Sequence, residues 1–189
     1  MKVYHNMKKK HYPDASALDM GAGIGYEDYR ETICLFKDLI IEKLRDSIVS
    51  LVLYGSVARG EAKKESDIDL LIVQKDAPDV YYKRLRPFIE VEKELRKSKV
   101  YEINRKKGLM PYLSYVILSQ KEAEKNLYLF LDMIEDSIIL LDKKDFLKRR
   151  LEELRHRLNM LGSKKVFLKD GSWYWDLKPD LVAGEVFEL

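Results

Sequence analysis

The stretch Tyr54–Val73 reads YGSVARGEAKKESDIDLLIV. It closes an apolar, β-branched run, Ile48–Tyr54, with the composition of a strand buried on both faces. The chain then turns at Gly55-Ser56, passes through mostly polar residues, and resumes a strand pattern at Asp67-Ile68-Asp69. Side chains alternate along a strand that rises about 3.3 Å per residue, so Asp67 and Asp69 share a face roughly 6.6 Å apart at the backbone. Ile68, Leu70 and Ile72 point the other way, into a core. Two like charges on one face repel, and something must compensate for them.

Carboxylates that converge on a point invite a hard divalent cation. Mg²⁺ takes oxygen ligands from one or two carboxylates together with substrate phosphates. The Gly55-Ser56 turn supplies the phosphate side, because glycine lets backbone N–H groups come close to an anion. Ser56 adds a hydroxyl, and a short helix started by Val57–Gly60 would point its N-terminus at the phosphates as well. Arg59 has two readings, a charge for the phosphate chain or surface decoration.

Outward from this motif, strands and helices alternate. Tyr29, Ile33, Phe36, Ile40 and Leu44 repeat at helical spacing over about 27–45. A helix over about 79–97 follows the second strand (67–73), and Pro87 is expected to kink or interrupt it. A third strand is expected over 112–119. Ala123, Leu127, Phe130, Leu131 and Ile134 then mark a helix, and 137–141 a short fourth strand. Leu147, Leu151, Leu154, Leu158 and Leu161 stripe a last helix ended by Gly162. In KKVFLKDGSWYWDLK, Asp170-Gly171 is a turn between two strand-like arms, a hairpin signal. The fold class expected is α/β (α+β), a mixed sheet flanked by helices with a C-terminal helix and β-hairpin. The expected divisions are an irregular lead-in over 1–25, a core domain over 26–142 and an appendage over 143–189. GAGIG (21–25) has the glycines of a dinucleotide-binding turn, but no strand precedes it and the third glycine is mis-spaced. It reads as a loop.

Composition narrows the class. Hydrophobic residues make up 46% of 189, enough for a packed core. The longest apolar stretches fall short of the roughly 20 residues of a membrane span, and the basic N-terminus is followed by no apolar signal region. Cys34 has no partner for an internal disulfide and sits in an apolar helical pattern. A cytoplasmic protein fits these features. With 35 basic and 32 acidic residues interspersed, the net charge of +3 argues against a nucleic-acid face. His5, His11 and His156 lack ligand spacing, and Trp173-Tyr174-Trp175 reads as hairpin packing in preference to base stacking.

Gly55-Ser56, ten residues, then Asp67-Ile68-Asp69 resembles the G-S-x10-D-x-D signature of the nucleotidyltransferase superfamily that includes DNA polymerase beta. Ala58-Arg59-Gly60, and Ser66 before Asp67, are similar to its minimal nucleotidyltransferase branch. The resemblance implies the nucleotidyltransferase fold and transfer of a nucleoside monophosphate, AMP foremost, from an NTP such as ATP to a hydroxyl or amine. It implies Asp67 and Asp69 as catalytic residues and Mg²⁺ ligands, and Gly55, Ser56, Arg59 and Ser66 as nucleotide-binding residues. Minimal members often act as antitoxins that attach AMP to a HEPN-domain ribonuclease, which makes such a toxin the expected partner. The alternatives are a nucleotide-binding module that neutralises a partner by contact, and an enzyme acting on a small molecule or RNA.

One departure stands out. Active members usually bring a third carboxylate from the next core strand, and here that strand, PYLSYVILS, carries no acid. Ser114 is its polar residue before Ser119. Glu102 and Asp176 are the candidate replacements, each with an ordinary alternative as a solvated or ion-paired surface acid.

Overall fold

The computed structural model describes residues 2–4, 23–125 and 128–189. The described residues resolve into two compact units, one within 23–151 and one combining 2–4 with 152–189.

The larger unit is built on a four-stranded mixed sheet. Its elements are α1 (Tyr26–Leu44), β2 (Ile48–Tyr54), α2 (Gly55–Arg59), β3 (Ile68–Gln74), α3 (Tyr81–Leu95), α4 (Lys99–Lys106), β4 (Leu113–Ser119), α5 (Gln120–Ala123) and β5 (Ile138–Asp142). A short strand, β1 (Lys2–Tyr4), precedes them. The strand order is β4-β3-β2-β5. β3 runs antiparallel to β2, which runs antiparallel to β5, and β3 and β4 are parallel. A parallel neighbour needs a crossover, and α3 with α4 provides it.

Ile33, Phe36 and Ile40 of α1 and Phe88, Val91 and Leu95 of α3 cluster with Leu51 and Leu53 of β2 and Ile68, Leu70 and Ile72 of β3. Val52, Leu71 and Val73 alternate with these and are buried too, so the central strands are covered on both faces, as their continuous apolar runs require.

Pro87 lies inside α3, which continues through it. The strand expected from 67 begins at Ile68, whose amide bonds the Tyr112 carbonyl at 2.7 Å, and Asp67 stands just before it. The helix expected around Ala123–Ile134 is replaced by the one-turn α5 and a 3-10 turn at Tyr128–Asp132. Leu127 lies outside the described residues. Spacings of three residues suit a 3-10 turn as well as an α-helix. α4 has no counterpart in the sequence reading. It is eight residues long and buries only Tyr101 and Asn104, too short for a periodic signal.

Arg84 ties α3 to β4 and α5. It is 6% exposed and donates to the Ile117 carbonyl at 3.3 Å, to the Pro78 carbonyl, and through Nη2 to Glu122 Oε1 at 3.0 Å. Arg84 and the Ser119 amide hold the Glu122 carboxyl at about 2, well below its ordinary 4.5. Removing one partner of a buried pair destabilises strongly, but Glu122 is 40% exposed and can rehydrate. Arg84→Met should therefore cost about 2 kcal/mol at neutral pH. Because the folded-state pKa is depressed, the pair's contribution is complete above the unfolded value of 4.5 and is lost as pH falls towards 2. Urea unfolding of wild type and variant should converge across that window. A gap that stays constant with pH would show that packing of the Arg84 stem sets the difference.

The smaller unit contains the C-terminal half of α6 (Phe146–Met160) and the three-stranded sheet β1-β7-β6, with β6 Lys164–Phe167 and β7 Trp173–Asp176. The hairpin turns at Gly171, where φ is +80°. Residues 2–4, expected within the irregular lead-in, pair antiparallel with β7. The rest of that expectation, over 5–22, lies outside the described residues. Trp175 is buried, consistent with packing, and the Lys165 ammonium stands 4.4 Å from the Trp173 ring centroid.

Candidate active site

β2 delivers the chain to Tyr54, directly opposite Asp69 of β3, and Asp69 lies opposite Ser114 of β4. These three form one row across the edge of the sheet where β2 ends and β3 and β4 begin. The chain leaves β2 through Gly55 at φ +76°, a left-handed conformation that other residues adopt at a cost. A side chain there would also collide with the site: a Cβ would lie 2.5 Å from Asp69 Oδ2. The bare backbone of Gly55 and the Asp69 carboxylate therefore face one another directly.

Arg59, at the end of α2, is 15% exposed along its side chain and donates to Glu61 at 2.9 Å. Its charge still reaches Asp69. Burial pushes the Asp69 carboxyl up to about 6, the Ser114 hydrogen bond and Arg59 pull against this, and the charges of Asp67 and Asp132 add to the rise. Asp69 is thus a carboxylate whose ionisation the protein alone supports poorly.

The loop from α2 to β3 is held from two sides. Ile24 and Ala62 exchange backbone hydrogen bonds at 3.0 Å each. A Cβ on Gly23 would sit 2.2 Å from the Gly60 carbonyl oxygen. The last glycines of GAGIG are therefore a brace that lets two backbones touch, a role the loop reading did not include. The Ser66 Oγ accepts the Lys63 amide at 2.9 Å and so closes the turn before Asp67. The Ser56 carbonyl accepts the Glu61 amide at 2.9 Å.

Of the two proposed replacement acids, Glu102 lies on α4, exposed and paired with Lys106 at 2.7 Å. Asp176 belongs to β7 of the smaller unit. Sequence reasoning missed Asp132 as an electrostatic neighbour: burial is the main cause of the rise of the Asp69 carboxyl and of the buried Tyr54 hydroxyl, and the charge of Asp132 adds to both. Its signal was present in the chain: Leu131-Asp132-Met133 sets an acid between apolar residues.

Among the described residues, no group of three or more His, Cys, Asp or Glu is arranged to hold a metal ion. Asp67 and Asp69 nevertheless suit a hard divalent cation, since an Asp69 disfavoured by burial and by like charge is one that a cation would stabilise. With so few protein ligands, the remaining oxygens must come from the bound substrate and water. A carboxylate pair beside a side-chain-free turn is the arrangement that the sequence resemblance leads one to expect.

The family model of the nucleotidyltransferase domain matches residues 33–123. Two relatives come from Methanocaldococcus jannaschii. "Putative protein adenylyltransferase MJ1305" is 46% identical over 37 residues, 20% of this chain and 25% of that protein. "Putative protein adenylyltransferase MJ0141" is 41% identical over 54 residues, 29% of this chain and 54% of that protein. The matched part thus spans between a quarter and about half of these relatives. Among solved structures, a toxin-antitoxin complex with AMP-PNP aligns with a TM-score of 0.37 and 13% identity over 68% of this chain and 91% of that one. The toxin-antitoxin MntA-HepT aligns with 0.34 and 12% over 72% and 92%. No helix among the described residues is long and apolar enough to cross a membrane.

Proposed function

We propose that this protein transfers AMP from ATP, in a Mg²⁺-dependent reaction, to a hydroxyl group of a protein partner. The observation that carries the reading is the Asp69 carboxylate set against Gly55, with Asp67 two residues before it. The description of the two relatives as protein adenylyltransferases favours a protein acceptor. Asp67 and Asp69 would hold the cation, and the Gly55-Ser56 turn and Arg59 would take the phosphate chain. Ser66 keeps the loop in shape behind them. When bound, the cation offsets the charge that builds on the departing pyrophosphate.

The acceptor oxygen bonds to the α-phosphorus as the bond to the bridging oxygen breaks, and pyrophosphate leaves. The acceptor's proton passes to water, because β4 presents Ser114, itself committed to Asp69, where a base from that strand would sit. General-base assistance is typically worth about 10²- to 10⁴-fold, so a freely diffusing small acceptor would react slowly. A docked protein recovers several kcal/mol by holding its hydroxyl in line. One slow modification per partner is enough for an antitoxin. A HEPN-type ribonuclease is the partner that the family resemblance implies. The same Ser114 favours a second reading, a nucleotide-bound module that neutralises the partner by contact.

The test incubates the protein with Mg²⁺, α-labelled ATP and a lysate of its source cells, then separates protein, RNA and small-molecule fractions. Label on one discrete protein band, absent with Asp67→Asn, is the expected result. Rapid labelling of RNA or of a small molecule overturns the protein acceptor. ATP binding with no label in any fraction favours neutralisation by contact.

A further inference from the structure

The opposite edge of the four-stranded sheet carries a cavity that the transfer reading does not use. Its volume is about 240 Å³, and it opens where β2 begins and β3, β4 and β5 end. Val49 and Phe146, 7% and 9% exposed, form its apolar floor. Lys75, Lys143, Lys144 and Arg149 surround it, against the single acid Asp46. Asp46 lies 3.8 Å from Lys143, which also donates to the Arg45 carbonyl at 3.2 Å. Among the described residues, no acid lies within ion-pairing distance of Lys75, Lys144 or Arg149. Three uncompensated cations around one concavity repel one another, and an anion would relieve them. Lys144 and Asp145 hold φ at +57° and +52°, consecutive left-handed residues without a glycine. Conformations of this kind persist only where the surroundings impose them, and they concentrate at ligand clamps.

We propose that this cavity binds a small phosphate monoester, with the phosphate on Lys75, Lys144 and Arg149 and a ring or short chain on the Val49–Phe146 floor. The volume lies just below the roughly 300–1,000 Å³ of drug-sized pockets, which suits a nucleoside monophosphate or sugar phosphate. The cations gather at one hole in a chain whose charges are otherwise balanced and interspersed, which argues against a polyanion lying across a basic face. Val49 and Tyr54 are five residues apart on β2, roughly 17 Å along a strand. The occupant is therefore not the substrate at Asp69. It is a separate ligand, bound at the far end of the strands that carry the proposed transfer site.

The test is an amide NMR titration of the whole chain in EDTA with AMP, ribose 5-phosphate and inorganic phosphate, each to about 10 mM, enough to saturate a millimolar site. Saturable AMP shifts at the amides of Lys75, Lys144 and Arg149 are expected. Lys144→Ala/Arg149→Ala, at two exposed side chains, should weaken that response at least about tenfold, near 1.4 kcal/mol. Signals of Gly55 and Asp69 should stay as in wild type. Absence of a saturable response at these amides, or equal affinity in the double variant, overturns the site. Inorganic phosphate binding as tightly as AMP overturns the role of the apolar floor. None of these outcomes depends on whether the protein transfers AMP.

Discussion

Asp69→Asn is expected to reduce nucleotidyl transfer by on the order of 10³-fold, about 4 kcal/mol of transition-state stabilisation, while making the metal-free protein more stable. The second half of the result is the informative one. Folding raises the Asp69 carboxyl from 3.8 to about 6, burial being the main cause. Below pH 4 both folded and unfolded chains hold the proton, and the residue contributes nothing to the balance. Between about 4 and 6 the unfolded chain releases it while the folded chain retains it, so stability falls as pH rises. Above 6 the whole penalty applies. At about 1.4 kcal/mol per pKa unit it approaches 3 kcal/mol, and water reaching the half-buried group reduces it to about 1–2 kcal/mol. Asparagine has the same shape and no charge. In EDTA the variant should therefore gain about 1–2 kcal/mol at pH 8 and nothing at pH 4. Denaturant unfolding at the two pH values measures this. A variant destabilised equally at both would show that Asp69 is a structural partner of Ser114, and the site assignment would fall.

Gly55→Ala is expected to combine lost transfer with lost stability. A left-handed φ costs an L-residue about 1–2 kcal/mol, and the new methyl would also sit 2.5 Å from Asp69 Oδ2. Either the carboxylate rotates away or β2 and β3 separate, and both remove the geometry proposed to hold the cation. A total of about 3 kcal/mol is reasonable, since overpacking typically adds 1–3 kcal/mol. Gly60→Ala is the control. Its φ of +72° nearly matches that of Gly55, but no atom lies within 4 Å of the added carbon. It should lose only the conformational share, about 1 kcal/mol, and keep its affinity for Mg·ATP. Calorimetry on the two variants separates the effects. Equal ATP affinity in both would mean that the phosphate cradle is not at Gly55.

Much of this site is legible along the chain because it is local. The β2 run Ile48–Tyr54, the break at Gly55-Ser56 and the paired aspartates fall within 22 residues. A short antiparallel connection places the end of one strand beside the start of the next wherever the domain folds, so the pairing of Tyr54 with Asp69 follows from strand length and alternation. The helices α1, α3 and α6 were visible for a related reason, since each repeats its apolar residues over several turns.

What the chain could not show depends on order and approach between distant segments. Asp132 influences Asp69 across 63 positions, and that neighbourhood exists only because the segment leading into β5 comes to lie beside β2. No local pattern distinguishes this arrangement from a strand on the other edge. Ser114 meets Asp69 only because β4 pairs parallel to β3 after a crossover of two helices. The brace of Gly23 on Gly60 likewise needs two backbones to meet from separate loops. Local spacing determined which residues share a face and where the chain turns, because those follow from backbone periodicity. Tertiary structure alone decided which charges stand next to Asp69, because electrostatic neighbours are set by distance in space, and strand order controls that distance.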